Sequence, residues 1–185
     1  MDYQRFYQQL FQPIEERIGH VDDASIMAIV GFDCGGPVTL STVGYGRDTF
    51  VTYVTCELSV NKDQQPAGFG RFELMMTCDN EKWARDILTR LGRMSFGSVL
   101  GHGHTVDIGP IVEVGHPLQG LVLESFAQVS IDGNSYGIMQ VHGITRPELN
   151  FARAHGADAF LLELQRSGVY PRTSVYRKDS VFPDA

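Results

Sequence analysis

The segment from Gly120 to His142 constrains the fold more than any other. Two runs rich in β-branched and aromatic residues, Gly120 to Ile131 and Ser135 to His142, flank Asp132-Gly133-Asn134. Two-residue hairpin turns need positive φ at their centre, and Gly, Asn and Asp tolerate it at least cost. An antiparallel hairpin of two long strands is therefore predicted, and the remaining elements must cover its faces. Glycine supports a turn-rich sheet protein: 20 of 185 residues, above the usual share of about 7%. At this length, with 43% apolar and 20% charged residues, one sizeable core is expected, and residues 1–185 read as a single domain.

The other elements follow from spacing. Tyr3, Phe6, Tyr7, Leu10, Phe11, Ile14 and Ile18 recur at helical intervals, with Pro13 predicting a break or kink. Ser25 to Phe32 reads as a buried strand ending in a turn at Gly35-Gly36-Pro37. Thr49 to Val60 and Arg71 to Thr77 read as strands joined by an exposed loop, Asn61 to Gly70. Asp79 or Asn80 is placed to cap a helix whose Trp83, Ala84, Ile87, Leu88 and Leu91 share one face. Thr145-Arg-Pro-Glu148 forms a capping box for a short helix ended by Gly156, and Asp158 is expected to cap a second, ended by Gly168. Tyr170 to Phe182 has the composition to add a further strand. Strands cluster and helices fall at three places, which predicts an α+β fold: a mixed or antiparallel sheet with helices packed on it.

Charge narrows the partners. Fifteen Lys and Arg against 22 Asp and Glu give −7, so no cationic surplus draws the chain to nucleic acid or to an anionic membrane. No apolar run approaches the ~20 residues of a spanning helix, and residues 1–12 lack the pattern of a signal peptide. Cys34, Cys56 and Cys78 form no CxxC pair and read as buried free thiols, so a cytoplasmic protein is expected.

Chemistry-bearing patterns are few. His102 and His104, followed by Asp107, would present two imidazoles on one face of an extended strand, a geometry that grips zinc or iron in a hydrolase or oxygenase. The same glycine-flanked histidines also suit a sharp bend in which the imidazoles bond within the loop. There is no Gly-x-Ser-x-Gly elbow, and Gly68-Phe-Gly70 and Gly101-His-Gly103 lack the further residues of a phosphate cradle. Glu15-Glu16 and Asp22-Asp23 are sequence neighbours that point apart on a helix or lie in loops, and read as solvated. No cofactor is implied by these residues.

As an ordered set, the motifs resemble the suppressor of fused family. They are Ala28-Ile-Val-Gly-Phe-Asp-Cys-Gly-Gly-Pro37 with Leu40 and Val43, Tyr53 through Leu58-Ser59, and Gly68-Phe-Gly-Arg-Phe-Glu-Leu74 with Trp83 and Leu91. Further on come Gly103-His-Thr105, Gly143-Ile-Thr-Arg-Pro-Glu-Leu149 and His155-Gly-Ala-Asp-Ala-Phe-Leu-Leu162. Glu57 stands where the family usually has glycine. The resemblance, to the amino-terminal domain and to stand-alone bacterial members, implies an α+β domain without catalytic role that binds a protein. In the animal protein this domain and a second one clamp an extended transcription-factor segment as an added strand. The bacterial members imply an immunity protein that neutralises a toxin, and the −7 charge suits a basic toxin domain. If a strand is added, Tyr53, Glu57 and Ser59 are the expected contacts; the alternative is that Tyr53 is a core or cross-strand aromatic residue. An exposed strand edge can also pair with a second copy, giving a homodimer.

Overall fold

A computed structural model describes residues 2–19, 21–28, 39–44 and 50–182. Helix α1 (Tyr3–Arg17) is capped by Asp2 and runs on through Pro13, so the expected break is absent. Its missing hydrogen bond is offset by burial of Phe6, Leu10, Phe11 and Ile14 along one face. Strand β1 (Asp22–Ala28) overlaps the expected strand; the predicted turn at Gly35-Gly36-Pro37, and Cys34, lie outside the described residues. Then follow β2 (Thr39–Gly44), β3 (Val51–Thr55) and β4 (Arg71–Cys78). After α2 (Glu81–Met94) come β5 (Thr105–Asp107), the long strands β6 (Gly120–Ile131) and β7 (Asn134–Ile144), α3 (Arg146–His155), α4 (Ala157–Arg166) and β8 (Arg172–Thr173).

The strands form one mixed sheet in the order β1-β2-β3-β4-β7-β6-β5, with β8 beside β4. All pairings are antiparallel except β4 with β7 and β4 with β8. The predicted hairpin is present, its turn residues Asp132 and Gly133 at φ 49° and 78°. Phe126 is an extra residue between the pairs Ser125–Met139 and Ala127–Ile138. This bulge shifts the alternation by one, so Ala127 and Ile131 share a core with Ile138 and Tyr136.

Period-two alternation separates two faces. Tyr53, Phe72, Leu74, Met76, Leu123, Met139 and Val141 pack against Ile87, Leu88 and Leu91 of α2. On the reverse face, α1 covers Val54, Met75 and Ile138. Further along that face, Phe160, Leu161 and Leu164 of α4 and Leu149 of α3 cover Val122 and Ile144.

Two expectations about loops and caps are corrected. The segment from Asn61 to Gly70 is not exposed throughout: Gln64 is 1% exposed, its amide pairing with both backbone groups of Phe72 at 2.9 Å. A glutamine that completes the ladder of β4 behaves as core. Gln64→Leu is expected to cost about 1–3 kcal/mol by leaving those two groups unanswered, measurable as a lower urea midpoint. Of the two candidates for the cap of α2, Asn80 fills the role, with its side chain accepting from Trp83 N at 2.9 Å. Asp79 instead accepts from the Ser174 hydroxyl at 2.5 Å and from Val175 N at 3.0 Å. Gly156, not Asp158, is the N-cap of α4. The Glu148 half of the expected capping box forms, its carboxylate accepting from Thr145 N at 2.8 Å.

Candidate functional site

The two groups of site residues predicted from sequence prove to be built differently from one another. His102 and His104 precede β5 rather than lying in it, so the premise of two imidazoles on one strand face fails. His102 is exposed and uses both ring nitrogens: Nε2 lies 2.7 Å from Asp158 Oδ1, and Nδ1 accepts from Ser125 N at 3.0 Å. This contact is what holds Asp158 in the first turn of α4 and away from a cap. Asp107 is bound to Arg146, with Oδ2–Nη1 2.5 Å and Oδ1–Nη2 2.8 Å, and also accepts from Gly109 N. The guanidinium and that amide hold its carboxyl down at about 2. Asp107 is thus a committed anion in a bidentate pair and not an open metal ligand.

Of the other histidines, His116 is bonded to Leu118, and His142 Nε2 lies 2.8 Å from Glu124 Oε2, which accepts from it. Among the described residues no three His, Cys, Asp or Glu side chains converge to hold a metal ion. His102→Ala with His104→Ala is accordingly expected to leave the zinc and iron content of the purified protein unchanged, read by elemental analysis.

Tyr53, Glu57 and Ser59 were expected along one exposed strand. Instead β3 ends at Thr55 and is flanked on both sides: Tyr53 lies opposite Thr42 of β2 and Met76 of β4. An incoming strand has no edge to pair with there, and the expectation is corrected. Tyr53 is 6% exposed in the α2 core, and burial pushes its phenol up to about 12. Glu57 is half-buried in the turn after β3, at φ 74°, a conformation in which glycine is the less strained choice.

Ser59 is fully buried and belongs to a polar network whose centre is Glu73 of β4. Oε1 of Glu73 accepts from Ser59 N at 2.8 Å and from the Ser59 hydroxyl at 2.7 Å. Oε2 accepts from the Thr55 hydroxyl at 2.6 Å, and Thr55 Oγ1 in turn accepts from Leu74 N at 2.8 Å. The Tyr7 hydroxyl of α1 reaches Glu73 Oε1 at 3.4 Å and accepts from Glu57 N. Glu73 is 0% exposed, and burial raises its carboxyl to about 7 against the donors that lower it. Burial likewise holds the Tyr7 phenol protonated, well above its ordinary range. The network ties α1 to the sheet. Its signal in the sequence was a single carboxylate inside the apolar run Phe72-Glu-Leu-Met-Met76.

Cys56 and Cys78 are buried, and burial pushes the Cys78 thiol up to about 12, which makes it inert at neutral pH. No helix among the described residues is long and apolar enough to cross a membrane.

A mixed sheet carrying α2 on one face and α1, α3 and α4 on the other is an α+β domain. The family model for suppressor of fused protein matches residues 37–178, and the chain belongs to that family. Three solved structures share the fold. A Sufu chain from the Sufu–Fu complex is 18% identical, with 97% of this chain and 92% of that chain covered at a TM-score of 0.73. A suppressor of fused homolog from Neisseria gonorrhoeae is 17% identical, with 96% and 97% covered at 0.66. Drosophila Suppressor of Fused is 19% identical, with 79% of this chain but 43% of that one covered at 0.62. No curated protein sequence matches.

Proposed function

We propose that this chain is a non-enzymatic protein-binding domain, acting as one unit over residues 1–185 in the cytoplasm, and that its partner is a basic toxin domain which it neutralises. The observation that carries the reading is family membership over residues 37–178, joined to a Sufu chain, itself captured in a complex with Fu, that superposes on 97% of this one. The catalytic alternative has little to support it, because His102 and Asp107 are each spent on an internal partner.

The charge of −7 supports a basic partner drawn in by steering. Among the described strands, β1 and β5 stand at the ends of the sheet, so strand addition would occur there and not at β3. Exposed Val99, Ile111 and Val114 lie in the segments that flank β5 in the chain. The same edge is where a second copy would pair, and sedimentation at increasing concentration reads that homodimer directly.

The test is capture of a partner by the immobilised protein from lysate of the source organism, at ionic strengths where screening lengths are roughly 30 Å and about 3 Å. A basic protein retained at low salt, lethal when expressed alone and harmless when co-expressed with this chain, supports the reading. A captured protein that is not toxic removes the immunity role, and no capture at low salt removes the binding role.

A further inference from the structure

Between the carboxyl end of α1 and the loop after α4, the reverse face of the sheet is left open as a cleft of about 310 Å³. That is the lower end of the range for small-ligand pockets and ample for one amino-acid side chain. Its liners include Arg17, Glu124, Phe126, Gln140, Tyr170 and Pro171. Glu124 and Phe126 lie two residues apart on β6 and so face the same side of the sheet, into the cleft.

The charged groups of the cleft are already answered. Arg17 Nη1 donates to the Phe126 carbonyl at 2.8 Å, with its guanidinium 4.7 Å over the Phe126 ring. Glu124 is held by His142 Nε2 at 2.8 Å and by the Tyr170 hydroxyl at 3.4 Å. One cation and one anion cancel, so an ion gains little here. Gln140 differs: it is 0% exposed, and neither its Nε2 nor its Oε1 has a hydrogen-bond partner among the described residues. A buried amide with donor and acceptor both unmet is rare in folded proteins, because each unmade bond carries a desolvation penalty that any complementary group would relieve.

We infer that this cleft is a recognition pocket for a carboxamide, the side chain of an asparagine or glutamine from the bound protein, paired head to head with Gln140 and packed between Phe126 and Tyr170. A carboxamide presents one donor and one acceptor side by side in a plane, which is the complement of what Gln140 lacks. Aromatic and proline surface suits its flat, uncharged head. The Gln140 amide is shut off from solvent, so the wall must part for the pair to form. Arg17 is the exposed residue among those named, anchored through the main-chain oxygen and ring of Phe126, and is the part that gives way.

This inference rests on the protein-binding reading, and the test keeps the two apart. The ¹⁵N-labelled full chain is titrated with N-acetylglutamine amide and with N-acetylmethionine amide, which fills similar space without the head group. Saturable shifts of the Gln140 side-chain amide and the Phe126 ring are expected, with the glutamine probe bound at least tenfold more tightly. Gln140→Leu should abolish that discrimination, and Tyr170→Ala, checked for folding by its amide spectrum, should weaken both probes. Equal affinity for the two probes, no saturation, or shifts that map elsewhere would overturn the pocket. A protein partner captured equally well by wild type and by Gln140→Leu would also overturn it while leaving protein binding intact. Selective probe binding without any captured protein would instead overturn the protein-binding reading and uphold the carboxamide specificity.

Discussion

Glu73→Gln is expected to raise stability at pH 8 by about 3 kcal/mol and to change it little near pH 4. The folded carboxyl sits at about 7 and its ordinary value is 4.5. A group whose folded pKa is raised contributes its stability in full below the unfolded value and loses it as pH rises through the folded one. The wild-type protein should therefore weaken between about pH 4.5 and 7, and the glutamine variant should not. Glutamine reproduces the protonated acid: Oε1 accepts from Ser59, and the amide donates toward Thr55 Oγ1. Urea unfolding of both proteins at pH 4.5, 6 and 8 checks this, and the difference between them removes every other titrating group. Asp107 acts in a separate window and with the opposite sign, its contribution fading as pH falls toward about 2. If the wild type instead gains stability relative to the variant as pH rises, the three donors from Thr55 and Ser59 outweigh burial and Glu73 is an anion throughout.

Arg177→Met is expected to cost about 3–5 kcal/mol, because it strands a buried carboxylate. Glu148 is 0% exposed; it caps α3 through Thr145 N at 2.8 Å, accepts from Arg177 Nη2 at 2.9 Å and Nη1, and receives Val181 N at 3.0 Å. Methionine keeps the length of the stem and removes the charge. The tail should loosen with it, since Phe182 reaches its stack on Phe151, 3.8 Å between ring centres, through the same segment. Faster proteolysis within residues 174–182 together with a lower unfolding midpoint is the expected pair of readouts. Adding Glu148→Gln should restore part of the loss, because the neutral amide still caps Thr145 and no longer needs a counter-charge. A double variant no more stable than the single one would show that Arg177 acts through packing instead.

What could be read from sequence was local. The hairpin, the capping box and the face of α2 each depend on residues within one turn or one loop, so their chemistry is visible in a short window. What could not be read depends on residues far apart in the chain. Asp158 looks like a cap until His102, 56 positions earlier, takes its carboxylate. Gln64 looks like loop until the backbone of Phe72 needs it. The Tyr53 to Ser59 run has the composition of a binding edge, and only sheet order reveals that β3 has neighbours on both sides. Ser59 and Tyr7 acquire meaning through Glu73, whose own oddity, a lone carboxylate in an apolar strand, was legible but silent about its partners. Family-level motifs succeeded where single residues did not, because their order along the chain encodes that topology indirectly.

The parallel junction of β4 with β7 sets the order of events at the ribosome. Arg71 pairs with Tyr136, so the middle of the sheet closes only after 65 further residues have been made. At usual elongation rates that is roughly 3–13 s, during which β4 keeps one unsatisfied margin and the apolar side of α2 has only half its platform. Newly made chains are then open to wrong pairings that the finished protein forbids, and slower translation would lengthen that exposure. Destabilising β3 or α2 should therefore lower the yield of soluble protein more than it lowers the stability of molecules that have folded.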